Sequence, residues 1–267
     1  MKGKTPQDVA YEKRMVLFLD FLGFKEIVKA TAENPAEVAR VVKAIDRLKA
    51  IGKDTQLYQS QRMTQFSDCV VVSYRCDERS AAFELVSEIA FALVDLVEQG
   101  FLVRGGVAVG DLVHTDEYLF GPAMNEAYEL ESRCAVYPRV LVGETLLDAA
   151  GKAPAEHHGE DEERRYVKDY LRKDSDGFFY IDYVSWRAVV GVIGGENDLY
   201  GCYLEKISEL LKRGFSAKSV DVLQKYRWLR ERYAAEVKKI AKLPPDHDWV
   251  RANPDMYEGI KALPLEF

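Results

Sequence analysis

The sequence is organised around a short apolar run that ends in a single carboxylate. Residues 16–19 are Val, Leu, Phe and Leu, Asp20 follows them, and Gly23 comes three residues later. This pattern predicts a buried strand that brings Asp20 to the edge of a sheet, with a turn and a helix after it. Amides at a helix start bind phosphate, and a carboxylate beside them can hold a cation. The simpler interpretation is an aspartate that caps the next helix, and this stretch alone favours it.

A second carboxylate changes that balance. Residues 57–66 and 69–74 are typical of two strands of a hairpin, with Asp68 at or near its tip. If the hairpin pairs with the first strand, Asp20 and Asp68 meet at one end of the sheet. Two carboxylates and a phosphate chain complete much of a magnesium shell. The alternative is two unrelated aspartates in turns, where aspartate is common.

The rest of the chain alternates helices with hairpins. Glycines at 105, 106 and 110 interrupt a strand and indicate close approach of another backbone. Residues 151–165 are predicted to be an exposed loop. Helices are predicted at 25–32, from 34 to about 51, at 80–98, from 121 to about 134, at 144–150 and along 222–240; further strands are predicted at 101–110, 112–120, 139–143, 166–170 and 178–184. This order predicts an α+β fold, with helices over one mostly antiparallel sheet.

Composition excludes several classes of protein. A net charge of −7 over 267 residues argues against nucleic-acid binding by bulk charge. Four cysteines without CxxC spacing are typical of reduced thiols, not of a disulfide framework or a zinc site. The N-terminus lacks an apolar signal core, and no apolar run approaches the length of a membrane span. We therefore expect a cytoplasmic location.

Four motifs together resemble the class III nucleotidyl cyclases, the family of adenylate and guanylate cyclase catalytic domains. Residues 18–24 (FLDFLGF) resemble the first metal motif, and residues 66–68 (FSD) the second, in which glycine usually precedes the aspartate. Residues 104–110 (RGGVAVG) resemble the central strand, and residues 120–127 (FGPAMNEA) the start of the following helix. The motifs occur in family order within residues 14–184.

The resemblance implies a cyclase-like sandwich, which would divide the chain into a flexible arm at 1–14, a catalytic domain at 15–190 and a helical C-terminal extension at 191–267. It implies a homodimer with composite active sites, each holding two Mg²⁺ or Mn²⁺ ions. The implied metal-binding positions are Asp20, Phe21 and Asp68. The implied phosphate-binding positions are Phe21, Leu22, Gly23 and Phe24, with Lys168 on the last hairpin.

Two departures from the family pattern concern the base. The purine-selecting position four residues before the second aspartate is Lys or Glu in the family and is Thr64 here. The second position, commonly Asp or Cys, is Tyr118 here. A hydroxyl and a bulky phenol favour a pyrimidine over a purine. Since a threonine hydroxyl both donates and accepts, Thr64 leaves uracil and cytosine open.

A third departure concerns the arginine that stabilises the transition state. The resemblance places Asn125 at the ribose or transition state, but Glu129 stands where the family has its arginine. Arg133, Arg139 and Arg104 are the candidate substitutes, and the sequence leaves the choice among them open; Arg133 is included among the expected catalytic residues. Further phosphate candidates on the last hairpin are Arg172 and Lys173.

A subgroup of the family is more similar still. The motifs above, with residues 127–131 (AYELE), 137–140 (YPRV) and 225–229 (KYRWL), resemble the bacterial pyrimidine cyclases of Pycsar anti-phage systems. The resemblance implies conversion of UTP to 3′,5′-cyclic UMP, a signal to a separate effector protein. A cytidylate cyclase that converts CTP to cyclic CMP is one alternative. A non-catalytic nucleotide-binding module on the same fold is another, and an unrelated α+β interaction protein is a third.

Overall fold

The strand that carries Asp20 lies inside a sheet in the computed structural model of the chain, which describes residues 9–51, 58–196 and 199–267. The described part forms eight strands: β1 Glu12–Phe21, β2 Arg62–Phe66, β3 Cys69–Arg75, β4 Val103–His114, β5 Leu119–Phe120, β6 Val140–Val142, β7 Leu171–Lys173 and β8 Phe179–Ile181. Its α-helices are α1 Phe24–Glu33, α2 Ala36–Lys49, α3 Ala81–Glu98, α4 Pro122–Glu129, α5 Thr145–Lys152, α6 Glu160–Asp169, α7 Tyr200–Phe215, α8 Val220–Ala241, α9 Asp248–Ala252 and α10 Pro254–Lys261.

The sheet has the order β2-β3-β1-β4-β6-β8-β7, and β5 pairs with β4. Among the described strands, β4 and β6 run parallel and the other pairs are antiparallel. The predicted α+β class, with helices on a mostly antiparallel sheet and a helical C-terminal part, is confirmed. Within the described residues, no helix has both the length and the apolar composition needed to cross a bilayer.

Strand β1 is apolar on both faces because both faces are covered. Leu17 and Leu19 belong to the main core, whereas Val16 and Phe18 form a smaller cluster with residues of β4 and α4. The burial of both faces explains the unbroken apolar run before Asp20.

Glycines let α4 lie close to the sheet, as the strand pattern predicted. A Cβ on Gly106 would lie 2.5 Å from Leu130 Cβ and 2.6 Å from the Ala127 carbonyl oxygen. A Cβ on Gly105 would lie 2.6 Å from the Phe18 carbonyl oxygen. Any side chain at these two positions would force the strands or α4 apart. Helix α4 then continues as a π-helical turn over Leu130–Cys134.

Two predictions for the middle of the chain are wrong. The loop expected at 151–165 contains the last turn of α5 and the first half of α6, and the strand expected at 166–170 lies mostly in α6. Four acidic residues in the first turn of α6 favour a helix N-terminus, and Glu163 and Val167 are buried four residues apart. Lys168 therefore lies exposed on the last turn of a helix and not on a hairpin strand.

The arm predicted at 1–14 is also partly wrong, because β1 begins at Glu12 and Arg14 is buried. Residues 1–8 lie outside the described residues. The remaining predicted elements occur near their expected places, although residue 57 of the first hairpin strand also falls outside the described residues.

The C-terminal helices share the core of the sheet domain. Helix α8, which was predicted along 222–240, buries one face through Trp228, Leu229, Tyr233, Val237 and Ile240. Trp228 stacks on Tyr137 with ring centroids 5.9 Å apart, and its Nε1 donates to Asp174 Oδ2 at 2.7 Å. Helix α8 is thus fixed against the segment before β6 and the β7–β8 hairpin, while the domain boundary at residue 190 stays a prediction.

Candidate functional site

Asp20 and Asp68 meet at one end of the sheet. Asp20 pairs with Cys69 across β1 and β3, which places it beside the turn that carries Asp68. The carboxylate oxygens of the two aspartates and the Cys69 sulfur lie within 4.8 Å of one another. Ser67 adopts a left-handed conformation (φ 54°) in this turn, the conformation that glycine adopts most easily. The hairpin and the strand thus bring together the two carboxylates that the sequence separates by 48 residues.

The proximity of the two carboxylates changes how Asp20 titrates. Burial raises the pKa of Asp20 to about 6, and the hydrogen bond and negative charge of Asp68 add to the rise, while Arg104 opposes it. Arg104 Nη2 lies 3.5 Å from Asp20 Oδ2. A divalent cation would remove the repulsion that the single guanidinium offsets only in part.

Arg104 also binds a third carboxylate, Glu131 of the π-helical turn. Arg104 Nε lies 2.6 Å from Glu131 Oε1, and the Glu131 side chain is 3% exposed. Burial raises the pKa of Glu131, and Arg104 opposes that rise. Arg104 therefore lies between the carboxylates of Asp20 and Glu131 at the edge of the candidate metal centre.

The thiol of Cys69 is a hydrogen-bond donor in this site. Its Sγ lies 3.6 Å from Asp20 Oδ1. Burial raises the pKa of Cys69 to about 12, and the charges of Asp20 and Asp68 contribute. Because the thiol stays protonated near neutral pH, the ligands on offer are carboxylate oxygens, which suit Mg²⁺ and Mn²⁺. The donor set fits the expected ions.

The turn after Asp20 leads directly into α1. Gly23 has a φ of 73° and precedes the first residue of the helix, Phe24. The Leu22 amide donates to the Leu102 carbonyl at 2.8 Å, so it already has a partner in the fold. Gly23 and Phe24 occupy the helix N-terminus, where amides favour anions.

Both residues expected at the base are connected to His114, Thr64 by a side-chain contact and Tyr118 through the turn that follows β4. Thr64 of β2 is half-buried and lies 3.0 Å, Oγ1 to Nε2, from His114 at the end of β4. Tyr118 closes the turn after His114, where its amide donates to Thr115 Oγ1 at 2.9 Å. Its ring is 41% exposed. Thr64 and Tyr118 as the two base-binding residues stay a prediction.

The arginines differ in accessibility. Arg133 is 77% exposed and lies 3.8 Å from Glu129 on the next helical turn. Arg139 is fully buried and ion-paired with Asp174 and Asp176, so its guanidinium is structural. Asn125 is exposed in the first turn of α4. Exposed positions for Asn125 and Arg133 leave both side chains accessible to a ligand or a second subunit.

Sequence reasoning missed several residues near the site. Glu131 and His114 carry no local signal, because their roles depend on tertiary contacts. Lys225 of α8 is a third example: burial lowers its pKa, as does nearby Arg104, while Asp221, Asp20 and Glu131 oppose the change. Helix α8, which is distant from Asp20 in the sequence, therefore places the Lys225 cation near the carboxylates. The signal that could have found it is the basic KYRWL run, which places Lys225 one turn before Trp228.

Comparison with known proteins gives matches to structures only. No protein-family model matches the chain, and no curated protein does. The adenylyl cyclase CyaB from P. aeruginosa is 15% identical with a TM-score of 0.48, covering 66% of this chain and 96% of that one. A bacterial light-regulated adenylyl cyclase is 15% identical with a TM-score of 0.46, covering 87% of this chain and 61% of that one. A second such structure is 16% identical with a TM-score of 0.38, covering 62% and 60%. The chain thus spans less than two thirds of the light-regulated proteins that it matches.

Proposed function

We propose that this chain is a nucleotidyl cyclase that converts UTP to 3′,5′-cyclic UMP and pyrophosphate. The observation that carries the proposal is the Asp20–Asp68 pair, whose ligand atoms lie within 4.8 Å beside a helix N-terminus. The proximity of the two carboxylates does not stabilise the fold, since two ionised carboxylates repel each other. A cation that both carboxylates share with a bound triphosphate would offset this repulsion and explain the pair.

The residues of the site have separable roles in this reaction. The ribose 3′-oxygen attacks the α-phosphorus in line, the bond from that phosphorus to the β-phosphate oxygen breaks, and pyrophosphate leaves. Two Mg²⁺ or Mn²⁺ ions would lower the pKa of the 3′-hydroxyl and offset the phosphate charge. Asp20 and Asp68 would hold these ions, with Phe21 as the third metal-binding position.

The remaining residues bind and orient the substrate. The amides of Gly23 and Phe24 would donate to phosphate oxygens, and Asn125 would orient the ribose. Arg133 would offset charge in the transition state, and Lys168 would bind phosphate from α6. Thr64 and Tyr118 would enclose a pyrimidine, with CTP as the alternative substrate.

A second copy of the chain would complete the active site. Several aromatic side chains are exposed near the carboxylates and the base-binding residues: Phe66, Tyr118, Phe120 and Tyr128. Tyr128 packs edge-on against Phe18, two residues before Asp20, with ring centroids 5.5 Å apart. Exposed aromatic side chains favour protein interfaces. They support a homodimer in which one protomer supplies metal ligands and its partner supplies the contacts to the base.

The biological role that we propose is second-messenger synthesis in anti-phage defence, with cyclic UMP acting on a separate effector in the cytoplasm. The motif resemblance described above is its support. A neighbouring gene that encodes a cyclic-nucleotide-binding protein with membrane segments would strengthen it.

The test of the substrate is incubation of the purified protein with each of the four nucleoside triphosphates and Mn²⁺, with products identified by mass. We expect cyclic UMP as the main product. Cyclic CMP as the main product would replace the uridylate assignment with the cytidylate one. A purine product, or no cyclic product, would overturn the pyrimidine cyclase.

A non-catalytic nucleotide-binding module is the second candidate function. The observation that favours it is Glu129, which stands at the family arginine position, exposed and close to Arg133. Tight binding of UTP or CTP by calorimetry, without a cyclic product under the same conditions, would establish it.

A further inference from the structure

Four side chains form a hydrogen-bonded chain that ends at Thr64. Arg14 Nε donates to Ser73 Oγ at 2.9 Å. Ser73 Oγ lies 2.8 Å from His114 Nδ1, and His114 Nε2 lies 3.0 Å from Thr64 Oγ1. Arg14, Ser73 and His114 are 2%, 0% and 5% exposed, whereas Thr64 is half-buried. This chain, the Arg14–Thr64 relay, runs from the interior of the sheet to a hydroxyl that a ligand can reach.

Ser73 sets the direction of the relay. A guanidinium has donors only, so Ser73 Oγ accepts from Arg14. Among the described residues, the hydrogen bonds of the Ser73 hydroxyl are those to Arg14 and His114. Its single proton therefore goes to His114 Nδ1. The opposite direction would leave a buried hydroxyl proton without an acceptor, which costs about 1–3 kcal/mol.

His114 passes this direction on because its ring is neutral. Burial lowers the pKa of His114 to about 4; the nearby cations Arg14 and Arg62 lower it further, and Asp116 opposes them. A neutral imidazole that accepts at Nδ1 carries its proton at Nε2. His114 Nε2 therefore donates to Thr64 Oγ1. The hydroxyl proton of Thr64 then points away from His114 and can be donated to a bound ligand.

We propose that Arg14, Ser73 and His114 are positioning residues that set the Thr64 hydroxyl as a donor toward the bound base. The inference rests on the proposed function, in which Thr64 contacts the base. Uracil presents an acceptor oxygen at position 4, whereas cytosine presents an amino donor there. The relay thus selects UTP over CTP, a choice that the identity of Thr64 alone leaves open.

The direction of the relay is tested on the unliganded protein, without any need for catalysis. Nitrogen-15 NMR of histidine-labelled protein reports the tautomer of each ring, and His114→Gln identifies the signal of His114. We expect the neutral Nε2–H tautomer from about pH 5.5 to 8. The Nδ1–H tautomer, or a charged ring at neutral pH, would overturn the relay.

Base selection is tested by the ratio of kcat/KM for UTP to kcat/KM for CTP. Thr64→Val removes the donated proton and should lower the ratio about tenfold, the size expected for one hydrogen bond. Thr64→Ser keeps the hydroxyl and should keep the ratio. His114→Leu should lower the ratio as well, whereas a purely structural role would lower both rates together. An unchanged ratio in Thr64→Val and His114→Leu would overturn the selection.

If the wild-type protein turns over no triphosphate, the proposed function fails, but base selection by the relay can still be tested by nucleotide binding. Calorimetry of UTP and CTP binding then replaces the kinetic ratio. Tighter binding of UTP, lost in Thr64→Val, would support the selection. Equal affinities in the wild type would contradict it.

Discussion

Asp20 binds a proton more tightly in the folded chain than in the unfolded chain. Its pKa is about 6, against an ordinary value of 3.8, because of burial and then Asp68. The contribution of Asp20 to the free energy of unfolding is therefore fully present below about pH 4 and is lost as the pH rises through about 6.

This titration predicts a pH dependence of stability in metal-free protein. Urea unfolding with a chelator should show the wild type losing stability from pH 5 to about pH 7 relative to Asp20→Asn, whose side chain does not titrate. Asp161→Asn is the matched control, because Asp161 is 99% exposed on α6. An identical pH slope in the wild type and Asp20→Asn would contradict the assigned pKa.

The same proton competes with a cation. We expect the affinity for Mn²⁺ to fall about tenfold per pH unit below about pH 6, since the ligand must lose its proton first. Calorimetric titration across this range measures the effect. Affinity that stays constant down to pH 5 would argue against Asp20 as a ligand.

Helix α8 is held to the sheet domain by a buried ionic cluster centred on Asp174. Asp174 accepts from Arg139 Nη1 at 2.5 Å and from Trp228 Nε1 at 2.7 Å, and it is also ion-paired with Arg232. The cluster joins the chain before β6, the β7–β8 hairpin and helix α8. Since α8 also carries Lys225 toward the carboxylates, the cluster links stability to the site.

Breaking this cluster should destabilise the protein strongly. Asp174→Asn leaves the guanidinium of the fully buried Arg139 short of one negative partner, which costs about 3–5 kcal/mol. Asp161→Asn should change the free energy of unfolding by less than about 0.5 kcal/mol. Urea unfolding measures both, and a loss below about 1 kcal/mol in Asp174→Asn would show that the cluster contributes little.

Elements with strong local patterns could be predicted from the sequence, and those decided by tertiary contacts could not. The apolar run before Asp20 predicted the strand, and the β-branched run after Asp68 predicted the hairpin. Pairing of the two brings the carboxylates together. Residues 160–169 were misjudged because Tyr166 and Val167 are typical strand residues, while burial of Glu163 and Val167 on one face favoured a helix. The local sequence does not predict the contacts of His114 and Arg139, because these contacts are hydrogen bonds to residues far away in the sequence.

The whole molecule is predicted to act as a dimer whose two subunits share each active site. Asp20→Asn removes a metal ligand, and Thr64→Arg blocks the base site, so each variant alone should be inactive. Their equimolar mixture should recover about a quarter of the wild-type activity, because half of the dimers are mixed and each mixed dimer has one intact site. No recovery after subunit exchange, shown by light scattering, would mean that each chain carries its own site.

The most direct test of the Asp20–Asp68 pair as a metal centre is cyclic UMP formation from UTP and Mn²⁺ by four proteins. The wild type and Asp161→Asn should form the product at the same rate. Asp20→Asn and Asp68→Asn should each lose at least about a hundredfold of that rate while unfolding in urea as cooperatively as the wild type. Undiminished cyclic UMP formation in both variants would contradict the assignment of Asp20 and Asp68 as the metal centre.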